Sequence, residues 1–344
     1  MKESSSKKKR RSREQGVALV MVLFVVALSS IIITQLTYTG TLDTSLHLYS
    51  KRSLESEYLL KSTINFGRAL LKTDVSPEDS ERDFWGPFLN GLEIPKEFLN
   101  IQDPAVRIEL EIRPEEAKLP LRSLVSGRRG NEKWRDVFVR FFQKMEFDDD
   151  NLPDESGLFP GRVFSASEVV ANLIDYMDPD SEDYQASDFP TGIESTLEKD
   201  VFANKHIRWL GELHNVPGMN QSRIRRISPF LTAFGSGSRI NINLAPRVVL
   251  ESLSPEIGQP EVDAIIAFRS SETPFDNQNK KIELSLIVGQ DVYDRVAPMI
   301  DVQSRWFQLI AKVDYGASTS FMRAYVSQTQ TGELPIIRIS EIFS

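Results

Sequence analysis

The 344-residue chain is long enough for a large buried core and more than one domain. It has no cysteine, which excludes disulfides and thiolate metal sites. The net charge of −8 is unevenly spread: residues 1–16 hold Lys2, Lys7, Lys8, Lys9, Arg10, Arg11 and Arg13 against Glu3 and Glu14, a local +5, so the remainder stands at −13, a poor balance for nucleic-acid binding.

Behind the basic block, no charged residue occurs from Gln15 to Leu42. About 20 apolar residues cross a bilayer as a helix, and Val17 to Leu36 suffices. A cleavable secretory signal has a shorter apolar core, roughly 7 to 15 residues, followed by a small-x-small site. This run is too long, and "TQLTYTGTL" does not supply that site. The positive block predicts a cytoplasmic amino terminus and an exported bulk. Leu46, Tyr49, Leu54, Tyr58, Leu59, Ile64, Phe66, Leu70 and Leu71 then recur at helical spacing, and no proline occurs before Pro77. One helix over 17–72 is therefore expected.

"PEDSERDFWGP" (77–87) breaks that helix. In "VRIELEIR" (106–113), Val106, Ile108, Leu110 and Ile112 alternate with charged residues, the pattern of a half-buried strand. Three further strands are expected far downstream, in "WFQLIAKVDY", "FMRAYVSQ" and "PIIRISEIF", the first two joined by a short turn, "GASTS". The sequence between reads as helical. "SASE" (165–168) is a capping box, and "WLGELHNVPGMNQSRIRRISPFL" and "NINLAPRVVLESLSPEIGQPEVDAIIAFR" each read as helix, tight turn, helix, with Pro246 fitting the first turn of a helix.

These features together resemble a prepilin: basic leader, glycine, unbroken apolar helix, then a small sheet. Within the helical stretch, "AKLPLRSL", "LIDYMDPDSEDY", "LGELHNVPGM", "NINLAP", "AIIAFRSSETPF" and the closing "RWFQLIAKV" follow the order seen in the K-type minor pseudopilin (general secretion pathway protein K) of type II secretion systems. Two motifs depart from that family: Pro120, Leu121 and Arg122 stand where it has an Asn-Leu-Asn-like run, and Tyr176 where it often has Trp.

The resemblance implies an α+β fold: a pilin-like long amino-terminal helix plus an antiparallel sheet, with a large, mostly helical domain of SAM-like or helix-hairpin-helix-like units inserted in the sheet. The expected divisions are a leader over 1–16, the membrane-spanning helix over 17–72, the sheet's first part over 73–115, the insert over 116–300 and the sheet's last part over 301–344. It also implies cleavage by prepilin peptidase between Gly16 and Val17, with methylation of Val17. The protein would be held in the inner membrane with its bulk in the periplasm. I- and J-type minor pseudopilins would be its partners in a pseudopilus that serves protein export across the outer membrane. Most pilin-like subunits carry glutamate at the fifth mature position, thought to neutralise a neighbour's amino terminus. Met21 stands there, which suits a tip subunit with no neighbour beyond it.

Asp175, Asp178, Asp180, Glu182 and Asp183 lie within nine residues, with Asp188 close behind. Carboxylates so clustered repel one another unless exposure or a cation relieves them. Oxygen ligands without His or Cys suit calcium, which the family is known to bind in this domain, although the spacing is not that of an EF-hand. The alternative is a solvated acidic loop. "EFDDDNLPDE" (146–155) is a second acidic stretch.

The hairpin-like units raise one rival function, a membrane-anchored DNA-binding receptor of a competence-like system, because such hairpins cradle phosphates. Residues 205–275 hold eight basic and six acidic side chains, without the basic surface that DNA requires, so no nucleic-acid partner is expected. Nor is an enzyme: the histidines are His47, His206 and His214, no hydrolase, zinc-protease or P-loop motif occurs, and "GSGS" (235–238) reads as a connector.

Overall fold

A computed structural model describes residues 3–99, 101, 103–198, 201–235, 237, 239–271, 273–315, 318–329 and 332–343, without the side chains of 3–15 and 340–343. The basic side chains of the leader, Gly316 and Ala317 of the expected turn, and Ser236 and Ser238 of the connector lie outside this set. The chain divides into two units, residues 1–59 and 60–344.

Helix α1 runs from Glu3 to Thr73 without a break, as the absence of proline predicts. Its first part makes up the first unit. From Gly16 it is long and apolar enough to cross a membrane, and among the described residues no other helix is. The hydroxyls in this part turn back on the helix. Thr34, Thr37 and Thr44 donate to the carbonyls of Ser30, Ile33 and Gly40 at 2.8–2.9 Å, which gives these hydroxyls a partner within the helix itself.

The second unit begins with the last turns of α1, where Leu60, Ile64 and Leu71 are buried on one face. Gly67 continues that face. A Cβ there would lie 3.2 Å from Leu110 and 3.4 Å from Leu309, so the glycine lets the helix close on a sheet. That sheet begins with β1 (Leu92–Glu93) and β2 (Arg107–Pro114), where Ile108, Leu110 and Ile112 face inward as the alternation predicts.

The next strands lie in the insert and are short: β3 (Leu119–Pro120), β4 (Val125–Ser126), β5 (Arg129–Gly130), β6 (Leu231–Thr232), β7 (Ile240–Asn241) and β8 (Ile300–Asp301). They pair only among themselves. The main sheet resumes with β9 (Trp306–Asp314), β10 (Thr319–Ser327) and β11 (Ile336–Phe343). Its order is β1-β2-β9-β10-β11, antiparallel throughout. Strand β2 thus pairs with β9 across the whole intervening stretch, with Leu110 opposite Ala311.

The insert has its own core, running from Leu119 to Val302 in sequence and containing no residue of the main sheet. Its helices are α2 (Glu132–Lys144), α3 (Ala166–Met177), α4 (Gln221–Ile227), α5 (Arg247–Ser252), α6 (Gln259–Arg269), α7 (Lys280–Val288) and α8 (Gln290–Val296). The Ser165–Glu168 capping box opens α3 as expected, and α3 is buried nearly throughout. Two local expectations shift. "LGELHN" is a 3-10 segment rather than an α-helix, and Pro246 precedes α5 as its N-cap instead of lying inside it. Asn241, fully buried, ties the insert back to the sheet by donating to the Asp79 carbonyl at 3.2 Å and to the Ser304 hydroxyl at 2.9 Å.

Candidate functional site

Helix α3 ends at Met177 and delivers the acidic loop. Asp175, on its last turn and fully buried, organises that loop: Oδ1 accepts from the Tyr184 amide at 2.6 Å, and Oδ2 from the amides of Ile193 at 2.6 Å and Glu194 at 3.0 Å. Gly192 makes the approach possible, because a Cβ there would stand 2.0 Å from Asp175 Oδ2. Burial outweighs these three donors and pushes the Asp175 pKa up to about 6.

Asp178 has no such donors. It is buried, and its Oδ1 has no hydrogen-bond partner among the described residues. Burial first, then the nearby charges of Asp180, Asp175 and Glu194, push its pKa up to about 8. Two further buried oxygens nearby lack a donor among the described residues, Glu194 Oε2 and Asn204 Oδ1. Burial and the neighbouring carboxylates Asp175, Asp180 and Asp183 raise Glu194 as well. Asn204 holds a left-handed backbone at φ 48°, which asparagine tolerates better than most residues. Its amide donates to the Asp180 carbonyl at 2.5 Å and to Glu194 Oε1 at 2.8 Å. Those bonds fix which end of the side chain is oxygen.

The other anticipated residues serve differently. Asp183 accepts from the Ser195 amide at 2.6 Å and from its hydroxyl, and Asp180 accepts from the Glu182 amide at 3.1 Å. Glu182 and Asp188 are exposed, Asp188 at a positive φ of 58°. Sequence reasoning missed Glu194 and Asn204, which no local motif marks.

The second acidic stretch is answered by protein groups. Arg223 is fully buried and contacts Asp150 at 2.6 Å, while donating to the carbonyls of Phe147, Phe164 and Gly218 at 2.7–3.0 Å. Its guanidinium lies 4.5 Å from the Phe147 ring centre. Asp154 accepts from the Gly218 amide at 2.7 Å, and Asp148 from Ala166 at 2.7 Å. These bonds bear on the hairpin reading too. "VPGM" is buried, with its Gly218 amide engaged by Asp154, and the Gly258 amide of the other hairpin is engaged by Glu261 at 2.9 Å.

A third group, Asp74, Asp79 and Asp83, brings oxygens within 4.8 Å of one another beside the end of α1. Burial, reinforced by Asp83 and Asp74, pushes Asp79 up to about 8. Here, however, protein donors are in place. Trp85 Nε1 donates to Asp74 at 2.8 Å, the Ser80 amide to Asp83 at 2.8 Å, and the Ser304 amide to Asp79.

At the amino terminus, Gly16, Val17 and Met21 are all exposed on α1, and nothing approaches Gly16 within 4 Å of where a Cβ would stand.

No family model and no curated protein matches the sequence. Among solved structures, the chain is similar to one in the crystal structure of the GspK-GspI-GspJ complex from the enterotoxigenic Escherichia coli Type 2 Secretion System. The TM-score is 0.62 at 14% identity, covering 86% of this chain and 98% of that one. The likeness is one of fold, and the fold is GspK-like: long amino-terminal helix, antiparallel sheet and many helices.

Proposed function

We propose that this chain is a K-type minor pseudopilin of a type II secretion system, a structural subunit that acts by assembly and not by catalysis. The extent of the structural match carries this reading. The 14% of 344 residues left uncovered is about 48 residues, against 185 in the stretch 116–300, so the match must run well into the insert. Its partners would be the I- and J-type minor pseudopilins, and its place the pseudopilus tip. A neutral Met21 suits that place, since a carboxylate in lipid is costly without a partner charge.

In this reading Gly16–Val17 is the prepilin-peptidase site, with the leader cytoplasmic, the bulk periplasmic and Val17 methylated. Intact-mass measurement in a host with active peptidase should find Val17 as the first residue; a retained leader would contradict it. Purifying the full chain from a host with an intact secretion system tests the assignment as a whole. Recovery of the I- and J-type subunits at a few copies per filament is expected. Their absence would overturn the assignment, and labelling along the shaft at major-subunit stoichiometry would overturn the tip position.

The acidic loop would hold calcium. Asp178, Glu194 and Asn204 offer buried oxygens with no donor among the described residues, with Asp180 beside them, and a hard cation accepting six to eight oxygens fits that donor set. The ion would supply the positive charge that Arg223 supplies to the neighbouring acidic stretch. Calorimetric titration of the detergent-solubilised chain with calcium should show binding, and a flat titration would end the idea.

A further inference from the structure

Strand β11 closes the main sheet, and no described strand pairs with its outer edge over Ile336–Phe343. The opposite edge is blunted, since β1 is two residues long. An exposed eight-residue edge is a template for another strand unless charge, proline or a bulge protects it. A bulge does fall at the start of β11 itself, where Ile337 is the extra residue between the Ile336–Val326 and Arg338–Tyr325 pairs, but pairing is regular from Arg338 to Phe343.

The two faces of this edge differ. Ile339 lies opposite Ala324, a core residue of β10, so it continues the face that packs on α1, and Ile337 precedes it at the bulge. Yet Ile337 is 51% and Ile339 45% exposed. Arg338 points the other way. It ends a cross-strand row, Arg113, Gln308, Tyr325, Arg338, that floors a cleft of about 520 Å³ between the sheet and the insert.

That cleft is cationic. Arg113, Lys118, Arg323 and Arg338 line it, against one carboxylate, Glu115. Lys118 and Thr232 already bind Glu115, and Arg113 pairs with Glu111. Arg323 and Arg338 have no ion-pair partner among the described residues, and the buried Arg323 Nε has no acceptor. Arg338 lies 5.8 Å from the ring centre of Trp209, which is half exposed.

We infer that β11 is a docking edge for an extended segment of a partner protein in which apolar and acidic residues alternate. The segment would add as a sixth strand, satisfying the free edge by main-chain hydrogen bonds. Its apolar side chains would cover Ile337 and Ile339, and its carboxylates would meet Arg338 and Arg323. In a chain of net charge −8 this is a local cationic site, so the charge complement is an acidic strand. A second copy of this chain is a worse occupant, because its own β11 would bring a second Arg338 to the same cationic side. A chain that never joined a secretion filament would carry the same edge, so co-purification can fail while the titration below succeeds, or the reverse.

The test uses the detergent-solubilised full chain and three synthetic peptides of eight residues, the length of β11. One alternates valine and glutamate, one alternates valine and lysine, and one is the first with proline at every valine, which removes main-chain donors. The first should bind at least tenfold more tightly than the other two and protect the β11 amides from deuterium exchange. Arg338→Glu should weaken the glutamate peptide at least tenfold and strengthen the lysine peptide. Ile337→Lys should weaken the glutamate peptide without reversing the charge preference, and it serves alone if the first variant does not fold. Equal binding of the glutamate and lysine peptides, protection elsewhere than β11, or sedimentation showing self-association through β11 would each overturn the inference.

Discussion

Two acidic stretches of one insert meet the same electrostatic problem differently. In residues 146–155 the carboxylates are met by protein donors: Arg223 is buried against Asp150, and the amides of Gly218 and Ala166 bind Asp154 and Asp148. In the loop that follows α3, Asp175 and Asp183 are met likewise, but Asp178, Glu194 and Asn204 keep buried oxygens that no described residue satisfies. A buried acceptor left unpaired costs roughly 1–3 kcal/mol, and a fold seldom carries three together without something to answer them. Closeness of carboxylates is a weaker guide. Asp74, Asp79 and Asp83 are the group whose oxygens converge most tightly, yet indole and backbone donors occupy them. Unmet acceptors are therefore the better guide, and they are why the proposed calcium is sought in the α3 loop and not in this group.

The largest effect should come from the stretch that supplies its own cation. Replacing Arg223 with methionine leaves three carbonyls without that donor and Asp150 with only Arg226 and the Leu152 amide, and removing one partner of a buried pair costs about 3–5 kcal/mol. Thermal melts of Arg223→Met should show that loss equally with and without calcium. A loss that calcium repairs would mean the two stretches share one ion, and the contrast would fail.

Gly192→Ala should cost somewhat less. The new Cβ would fall 2.0–2.4 Å from the Asp175 carboxyl group, so the hub must open and strand the amides of Tyr184, Ile193 and Glu194. Of these three contacts only that of Ile193 is fully buried, so a cost of about 1–3 kcal/mol and a clear drop in melting temperature are expected, together with loss of calcium binding as Glu194 shifts. Normal calcium affinity in a destabilised Gly192→Ala protein would show that the hub does not position the site.

Much of this was legible in the sequence, but not the part that selects the ligands. Unbroken apolar sequence without proline announced α1, alternation announced β2, and the Ser165–Glu168 box opened α3 where expected. Each is a local signal. That β2 pairs with β9 is not local, since Leu110 and Ala311 meet across the insert. The carboxylate run was legible as a cluster. Which of its members remain free depends on donors brought by Ser195, Ile193 and Asn204, and their approach is decided by packing. Glu194 and Asn204 sit in aperiodic loop sequence and become visible only when their unpaired oxygens are found beside Asp178.

Asp178 ties that geometry to pH. Its pKa is about 8 in the folded chain against an ordinary 3.8, so between those values the folded state holds a proton that the unfolded state has released. Without calcium, stability should therefore fall as pH rises from about 4 to about 8. Calcium requires the ionised form, so its stabilisation should grow as pH rises over the same window. Asp178→Asn removes this group's share of both effects. Free of calcium, it should match or exceed the wild type at pH 8. With calcium at a hundred times the wild-type Kd, it should lack the roughly 2.7 kcal/mol that such saturation provides. Wild-type and Asp178→Asn melts that respond identically to calcium would refute the assignment.

The smallest effects should come from Glu182 and Asp188, two of the three exposed acids of the same run, and these set the sharpest limit on the comparison. Glu182 and Asp188 belong to the sequence cluster as fully as Asp178 does, yet both face solvent. An exposed charge acts on an ion only through water and salt, and at physiological ionic strength its field is largely screened beyond about 8 Å. Asp188 also occupies a left-handed backbone, which asparagine accepts readily, so Asp188→Asn removes charge with little strain. Glu182→Gln is likewise a change of charge at nearly constant shape. Either variant should alter calcium affinity by less than about threefold in physiological salt, with the residual effect shrinking as salt is raised. If Asp188→Asn instead abolished binding as Asp178→Asn does, the ion would be held by the exposed run. The unmet oxygens of Asp178, Glu194 and Asn204 would then need another partner, and the rule that separates this loop from Asp74, Asp79 and Asp83 would fall with it.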